Sequence, residues 1–257
     1  MIVGFAGAGN IAAAMARGWA DAEGGPESML FTDSGSGRAA ALADEVGGEA
    51  LESVGELAER ADLLVLAVKP AALEDVARDA QAAGAVLSLL GATPLARLSD
   101  AFPSASVMRA MPNLGIEMRL GVLLFAAAGG AATETVAETR ERLQLLGRLV
   151  ELDDELFDAA TAVMGCSPAY LALVIEAIAE AGAADGLDPE LSHSLAVDAA
   201  VGTAELLRHY HPSQLRDAVA SPGGSTEAGL GALEEHDVGE AFEAAVRASL
   251  ARMRGEE

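Results

Sequence analysis

The sequence predicts an α/β domain built on a parallel sheet, followed by a domain made only of helices. Three observations carry this reading. Short apolar runs alternate with helical patterns, joined by short links, up to about residue 150. A glycine-rich segment follows the first apolar run directly and opens a helical pattern. From about residue 156 onward the strand-type pattern disappears and every remaining segment reads as helix.

The elements follow in order. Residues 2–6 are an apolar run of buried-strand type, and 12–20 a helix of small residues. Residues 29–32 read as a strand, 39–46 as a helix, and 56–60 as a further helical stretch. Residues 62–68 are strongly apolar and end at Lys69-Pro70, where proline stops the ladder. Helix is expected over 73–82 and strands over 85–90, 106–110 and 122–127. Residues 143–152 close the region with a last strand around Leu149. Helices then follow at 157–165, 168–186, 189–208, 212–220, 226–236 and 239–254. Pro168, Pro189 and Pro212 each sit just inside a helix start, where a missing N–H costs nothing. The expected domains are 1–153 and 154–257.

Charge narrows the function. Forty acidic and sixteen basic residues give a net charge of −24. Phosphate binding over a broad surface needs the opposite sign, so nucleic acid and anionic membrane are not expected as partners. The chain is 51% hydrophobic, which argues against disorder. Lys69 is the sole lysine, a bias expected of a surface adapted to high salt or of GC-rich coding.

One cysteine, Cys166, leaves no intrachain disulfide, and none of the four histidines has ligand spacing, so no metal is expected. No secretory leader opens the chain and no uninterrupted apolar run is long enough for a bilayer, so a soluble, cytoplasmic protein is expected. The helix from Pro168 carries Leu171, Val174, Ile175 and Ile178 on one stripe, which we read as a subunit interface.

The glycine-rich segment is Gly7-Ala8-Gly9-Asn10-Ile11-Ala12, a G-x-G-x-x-A between strand and helix. This is the context of a Rossmann-like dinucleotide loop. Gly7 permits the turn, Gly9 admits the pyrophosphate, and Ala12 keeps helix and strand close. The helix N-terminus presents unpaired N–H groups to the phosphates. At the end of the second strand, Asp33 stands where an acid reads the ribose of NAD, while Ser34, Ser36 and Arg38 suit the 2′-phosphate of NADP. The signals conflict, with a slight lean to NADP(H).

Four ordered motifs run along the chain: Gly4-Phe5-Ala6-Gly7-Ala8-Gly9-Asn10, Ala67-Val68-Lys69-Pro70, Arg109-Ala110-Met111-Pro112-Asn113 and Ser221-Pro222-Gly223-Gly224-Ser225-Thr226. With Ser167-Pro168-Ala169-Tyr170, they give a chain that resembles the pyrroline-5-carboxylate reductase family over nearly its whole length. The resemblance implies hydride transfer from NAD(P)H to the C=N carbon of pyrroline-5-carboxylate, giving proline. It implies that Ala67, Val68, Lys69 and Pro70 lie near the nicotinamide, and that the chain forms at least dimers through its helical half. Asn113 either touches the nicotinamide or ends a strand.

In the last motif, two glycines before a helical pattern let backbone N–H groups form an anion nest, with Ser221 and Thr226 adding hydroxyls. The resemblance makes Ser221, Gly223, Gly224, Ser225 and Thr226 the holders of the substrate carboxylate. It makes Thr226 the catalytic candidate that orients or relays a proton, with water as the ultimate donor. Cys166 stands where the family has serine and is expected to be buried. Residues 90–93 and 114–119 depart from the family pattern. They leave open a reductase of another cyclic imine or small keto acid, or a non-catalytic nucleotide-binding paralogue.

Overall fold

The structure, a computed structural model, describes residues 1–256. Eight strands form one sheet: β1 (Ile2–Ala6), β2 (Ser28–Thr32), β3 (Glu49–Ala50), β4 (Leu63–Leu66), β5 (Ala85–Ser88), β6 (Ser106–Pro112), β7 (Gly121–Ala127) and β8 (Gly147–Glu151). Their spatial order is β3-β2-β1-β4-β5-β6-β7-β8. The helices around the sheet are α1 (Asn10–Ala20), α2 (Arg38–Val46), α3 (Val54–Arg60), α4 (Leu73–Asp79), α5 (Leu95–Ala101), α6 (Thr133–Gln144) and α7 (Phe157–Met164). Then come α8 (Ser167–Ala184), α9 (Pro189–Leu206), α10 (Pro212–Val219), α11 (Ser225–Glu235) and α12 (Val238–Arg254).

The apolar runs become two-faced strands because successive side chains point to opposite sides. Val3, Phe5, Phe31, Leu63, Val65 and Leu87 join one core layer with α1 and α2. Leu30, Leu64, Leu66, Val86 and Val107 join the other with α3, α4 and α5. Phe5 anchors the first layer, its ring 5.1 Å from that of Phe31 and 6.0 Å from that of Trp19. The Trp19 indole N–H donates to the Arg142 carbonyl at 2.8 Å, so this buried ring keeps its polar atom paired.

Some features depart from the sequence reading, among them the two-residue strand β3, which no apolar run announces. β6 and β7 are antiparallel, with Arg109 opposite Ala126, the one antiparallel pair among the described residues in a sheet otherwise parallel as expected. The link between them holds a single 3-10 turn, Leu114–Met118, far too short for a parallel crossover. Helices α5 and α6 were not anticipated. α6 buries only Thr139 and Leu143, so it has almost no apolar stripe to read. Finally, the helical stretch Asp154–Ala184 is long and apolar enough to cross a membrane by length and composition, an 18-residue window within it reaching a mean hydropathy of 1.7 with 11% of that window buried. The sequence expectation concerned an uninterrupted apolar run, and this stretch is interrupted by acidic residues.

The chain divides into two compact units, Met1–Gly165 with the stretch from Leu250 onward, and Cys166–Ser249. In the second unit α8 packs on α9. The Ser192 hydroxyl donates to the Ala179 carbonyl at 2.7 Å. A Cβ at Gly182 would meet that hydroxyl oxygen at 2.4 Å, so glycine sets the close approach. Tyr170 hydrogen-bonds through its hydroxyl to Ser249 Oγ at 2.6 Å, tying α8 to α12. Much of α8 remains uncovered: Leu171, Leu173 and Ile178 are each about 60% exposed. Cys166, expected to be buried, is half-buried.

Candidate active site

The strand order places β1 and β4 side by side where the chain reverses direction across the sheet, and ligands of open α/β sheets bind at such a point. Three strand ends meet there. Gly7 leaves β1 with φ +104° and donates its N–H to Thr32 O at the end of β2. A Cβ on Gly7 would stand 2.5 Å from the Ala67 carbonyl oxygen at the end of β4. Gly7 is therefore demanded by the fold itself, both by its φ and by the packing of two strand ends.

Gly9 is different. It has an ordinary φ of −78°, and a Cβ there would meet nothing within 4 Å. Nothing in the protein requires glycine at this place, yet it stands as the N-cap of α1 with no side-chain cap. The first bond of the helical ladder runs from Ala13 N–H to Gly9 O, so the N–H groups of Asn10, Ile11 and Ala12 lie ahead of it. Open space over unpaired amides at a dipole's positive end fits a dinucleotide pyrophosphate. Ala8 is buried and Ile11 half-buried beside this loop.

At the end of β2 the loop turns on Asp33. Its Oδ1 accepts the Gly35 and Ser36 N–H groups at 2.7 and 3.0 Å, and its Oδ2 accepts the Ser36 hydroxyl and the Ala39 N–H at 2.7 and 2.9 Å. The Ser36 hydroxyl, then the Ala39 N–H and the two loop amides, pull the carboxyl down to a pKa of about 2. Ser36 Oγ also accepts Arg38 Nε at 3.1 Å. Ser34, Ser36 and Arg38 are exposed around this loop.

On the other side of β1, Val68 is half-buried and Lys69 and Pro70 exposed, with Pro70 opening a 3-10 turn. Asn113 follows β6. Its Oδ1 accepts the Val122 N–H at 3.2 Å and its Nδ2 donates to Met164 O at 3.3 Å, which leaves one amide hydrogen uncommitted. Within the first unit the structure thus brings the loop 7–12, the Asp33 loop and the Ala67–Pro70 segment to one edge of the sheet.

The second unit holds the other predicted cluster. Gly223 has φ +72°, Gly224 is the N-cap of α11, and Ser225 and Thr226 are its first two residues. Gly224 N–H donates to Ser221 O at 2.9 Å, closing the turn. A residue missed in the sequence completes it: Glu227 Oε2 accepts the Gly223 N–H at 2.7 Å. An acid at the third position of a helix is a recognised capping signal, so this contact was legible. Thr226 is exposed. A second omission is Arg109, quoted only as part of a motif. It is 2% exposed and bonds Asp154 at 2.6 Å. Among the described residues no group of acids, histidines or cysteine is arranged to hold a metal ion.

Known proteins give this arrangement a context. The family described as pyrroline-5-carboxylate reductase dimerisation matches residues 154–256, and the family described as NADP oxidoreductase, coenzyme F420-dependent, matches residues 2–90. A pyrroline-5-carboxylate reductase of Synechocystis is 38% identical over 203 residues, covering 77% of this chain and 76% of the relative. One from Thermus thermophilus is 37% identical over 229 residues, covering 81% and 87%. Among solved structures, the Plasmodium falciparum pyrroline carboxylate reductase with NADP bound superposes with a TM-score of 0.91 at 25% identity, covering 99% of this chain and 97% of that one. The Streptococcus pyogenes enzyme gives 0.92 at 25% identity, covering 99% and 98%. The similarity takes in the glycine loop, the sheet and the helical unit together, and on that ground the chain belongs to the pyrroline-5-carboxylate reductase family.

Proposed function

We propose that this protein reduces pyrroline-5-carboxylate to proline with a nicotinamide nucleotide, the last step of proline biosynthesis. The observation that carries the reading is the match to reductases of that name across both compact units, with the two predicted loops each at a helix N-terminus. Bound at the loop 7–12, NAD(P)H supplies the hydride. The residues around it bind and orient: the amides of α1 hold the pyrophosphate, and Ala67, Val68, Lys69 and Pro70 flank the nicotinamide. Residues 1–153 serve the nucleotide and 154–257 serve dimerisation and substrate.

The nest of Ser221, Gly223, Gly224, Ser225 and Thr226 receives the substrate carboxylate. Glu227 and the Ser221 carbonyl already engage the Gly223 and Gly224 N–H groups, which favours the Ser225 and Thr226 amides as the carboxylate donors. The Thr226 hydroxyl orients the ring nitrogen and passes on a proton whose source is water, because an alcohol is too weak an acid to act alone. Holding two partners in register supplies most of the acceleration.

We infer NADP(H) as the preferred nucleotide. Each Asp33 oxygen already accepts two hydrogen bonds, so a ribose 2′-hydroxyl would have to displace one. Ser34, Ser36 and Arg38 remain exposed and suit a phosphate. The uncovered apolar face of α8 supports a homodimer or larger homo-oligomer through the C-terminal helices. The proposed reading places the protein in the cytoplasm, without a membrane partner. The acidic surface is read as an adaptation to salt.

The test is direct. Oxidation of NADPH and of NADH is followed with pyrroline-5-carboxylate at low and high salt. No oxidation in either salt, with nucleotide bound, rejects the reaction. Turnover confined to other cyclic imines or keto acids transfers the protein to a sister activity.

A further inference from the structure

The helix that leads into the Ser221–Thr226 loop is capped by a histidine. α10 is an eight-residue helix, and none of its residues is buried in the single chain. A helix this short, with no apolar face packed away, depends on its ends. His211 is its N-cap, with φ −66° and ψ 143°. The ring Nδ1 accepts the Ser213 N–H at 3.4 Å and stands 2.9 Å from Ser213 Oγ. Gln214 reaches back from inside the helix, its Oε1 accepting the His211 N–H at 3.1 Å. Together these contacts form a capping box. Pro212, at the first helical position, has no N–H to satisfy.

The other end of α10 joins the loop without a linker. Ala220 N–H donates to Arg216 O at 2.9 Å and closes the last turn, and Ser221 follows at once. Ser221 O in turn accepts the N–H of Gly224, the N-cap of α11, at 2.9 Å. Ser221 is therefore set between the last turn of α10 and the first of α11. All of these residues lie in one compact unit, Cys166–Ser249. Order at the start of α10 thus passes along one unbroken helix into the loop.

The usual caps are Asn, Asp, Ser and Thr, and histidine is not among them. Histidine has a property they lack near neutrality: its side chain gains a proton and a positive charge between about pH 8 and pH 5. The charged ring carries hydrogen on both nitrogens, so Nδ1 no longer accepts. The Ser213 hydroxyl can turn to accept from the ring, but the Ser213 N–H loses its partner. The new charge also stands at the positive end of the helix dipole, where a cation is unfavourable. Both effects loosen the first turn. The ring is exposed, and among the described hydrogen bonds and ion pairs none sets a charged side chain against it. The charged and titratable groups along the adjoining chain are Arg208, paired with Glu205 at 3.0 Å, His209, Arg216 and Asp217. We propose that His211 is a positioning residue for the substrate loop, ordering it through α10 while the ring is neutral and loosening it when the ring is protonated. The inference rests on the proposed binding of the substrate carboxylate by that loop and adds a proton-dependent control of it.

The experiment uses the full chain. KM for pyrroline-5-carboxylate and kcat are measured at saturating NADPH from about pH 5.5 to about pH 8.5 for wild type, His211→Asn and His211→Ala. Asparagine caps without titrating, and alanine does not cap. Protonation of the substrate is common to all three proteins, so the quantity read is the ratio of each variant's KM to that of wild type at the same pH. His211→Asn should match wild type within about twofold at the alkaline end and have a KM about fivefold lower at the acid end. His211→Ala should have a KM about fivefold higher than wild type at the alkaline end and meet it at the acid end. In both variants kcat should change less than KM, and the NADPH dissociation constant should stay within about twofold of wild type.

A ratio of His211→Asn to wild type that stays constant with pH overturns the proposal, even where His211→Ala is impaired, because a merely structural cap does not follow the proton. A loss carried in kcat with KM unchanged overturns it as well. If His211→Ala does not fold, the His211→Asn ratio alone decides. A wild-type chain inactive on the imine, or an active one whose KM ignores Glu227→Ala, removes the loop from the substrate and sinks that reading instead. An active wild type that responds to Glu227→Ala, with flat His211 ratios, sinks only the control by His211.

Discussion

Asp33 caps the first turn of α2, its Oδ2 accepting the Ala39 N–H at 2.9 Å. This contact, with three more from the loop between them, makes Asp33 the organiser of its own loop. On the proposed NADP(H) reading, the exposed cation beside it, Arg38, distinguishes the nucleotides. Arg38→Ala should weaken NADPH binding about tenfold or more and leave NADH nearly unchanged. Calorimetric titration with both nucleotides checks it. Asp33→Asn should weaken both by similar factors, because it loosens the loop. A loss confined to NADH would return Asp33 to the ribose.

The same carboxylate gives a stability signature in acid. Its pKa is held down to about 2 in the folded chain, chiefly by the Ser36 hydroxyl, against roughly 3.9 when unfolded. A depressed folded pKa contributes stability that is full above the unfolded value and disappears as pH falls through the folded one. Wild type should therefore lose this contribution between about pH 4 and pH 2. Asp33→Asn should be less stable than wild type at neutral pH and should converge with it toward pH 2. Thermal melts across that window test the point, and a constant gap between the two proteins contradicts it.

Gly7 and Gly9 share a motif but should fail differently. Gly7→Ala places a Cβ 2.5 Å from Ala67 O at a φ of +104°, so it should destabilise the fold by a few kcal/mol or prevent folding. Gly9→Ala meets nothing within 4 Å, so its melting temperature should match wild type. If the pyrophosphate occupies that space, Gly9→Ala should weaken nucleotide binding about tenfold or more with the fold intact. Differential scanning calorimetry beside nucleotide titration separates the two. Full nucleotide affinity in Gly9→Ala would place the pyrophosphate elsewhere.

How much of this was legible follows from what each signal depends on. The central strands and the loop after β1 are encoded locally, by apolar runs and by glycines at fixed offsets, and they appear where the sequence puts them. α6 carries charge around most of its surface, and only Thr139 and Leu143 are buried, so periodicity had nothing to detect. The antiparallel turn of β7 depends on the length of the link before it, which strand patterns do not register. At the site, the residue types were readable and their partners were not. Asp33 stands at the ribose-reading position, and its four hydrogen bonds to its own loop could not be read from the sequence. Arg109 lies within a quoted motif, but its partners Asp154 and Asp158 are 45 and 49 positions away, beyond the reach of any local pattern.

The groove between α8 and α9, about 880 Å³ and lined by Leu173, Ile175, Glu176, Pro189, His193 and Val197, is open along an apolar helix face. Surface of that kind is covered by protein in the assembled state. Leu173→Glu, at a residue 63% exposed in the single chain, should shift the assembly to monomer at micromolar concentration without unfolding it. Sedimentation of the variant beside wild type measures this. A variant that sediments as wild type would move the interface off α8.

Thr226 and Glu227 stand side by side at the start of α11 and should separate hydroxyl chemistry from loop order. Thr226→Ala should lower kcat by about tenfold to a thousandfold, leaving nucleotide affinity unchanged, while Thr226→Ser retains the hydroxyl and most of the rate. Glu227 acts on the backbone, since its Oε2 holds the Gly223 N–H at 2.7 Å. Glu227→Ala should free Gly223, raise KM for the imine several-fold and change kcat less. Glu227→Gln keeps an acceptor for that N–H and should stay near wild type. If Glu227→Gln instead behaves like Glu227→Ala, the negative charge matters and the hydrogen bond does not. If Thr226→Ala and Thr226→Ser fail equally, the hydroxyl is not the group that handles the proton, and the role passes to water held by the loop amides.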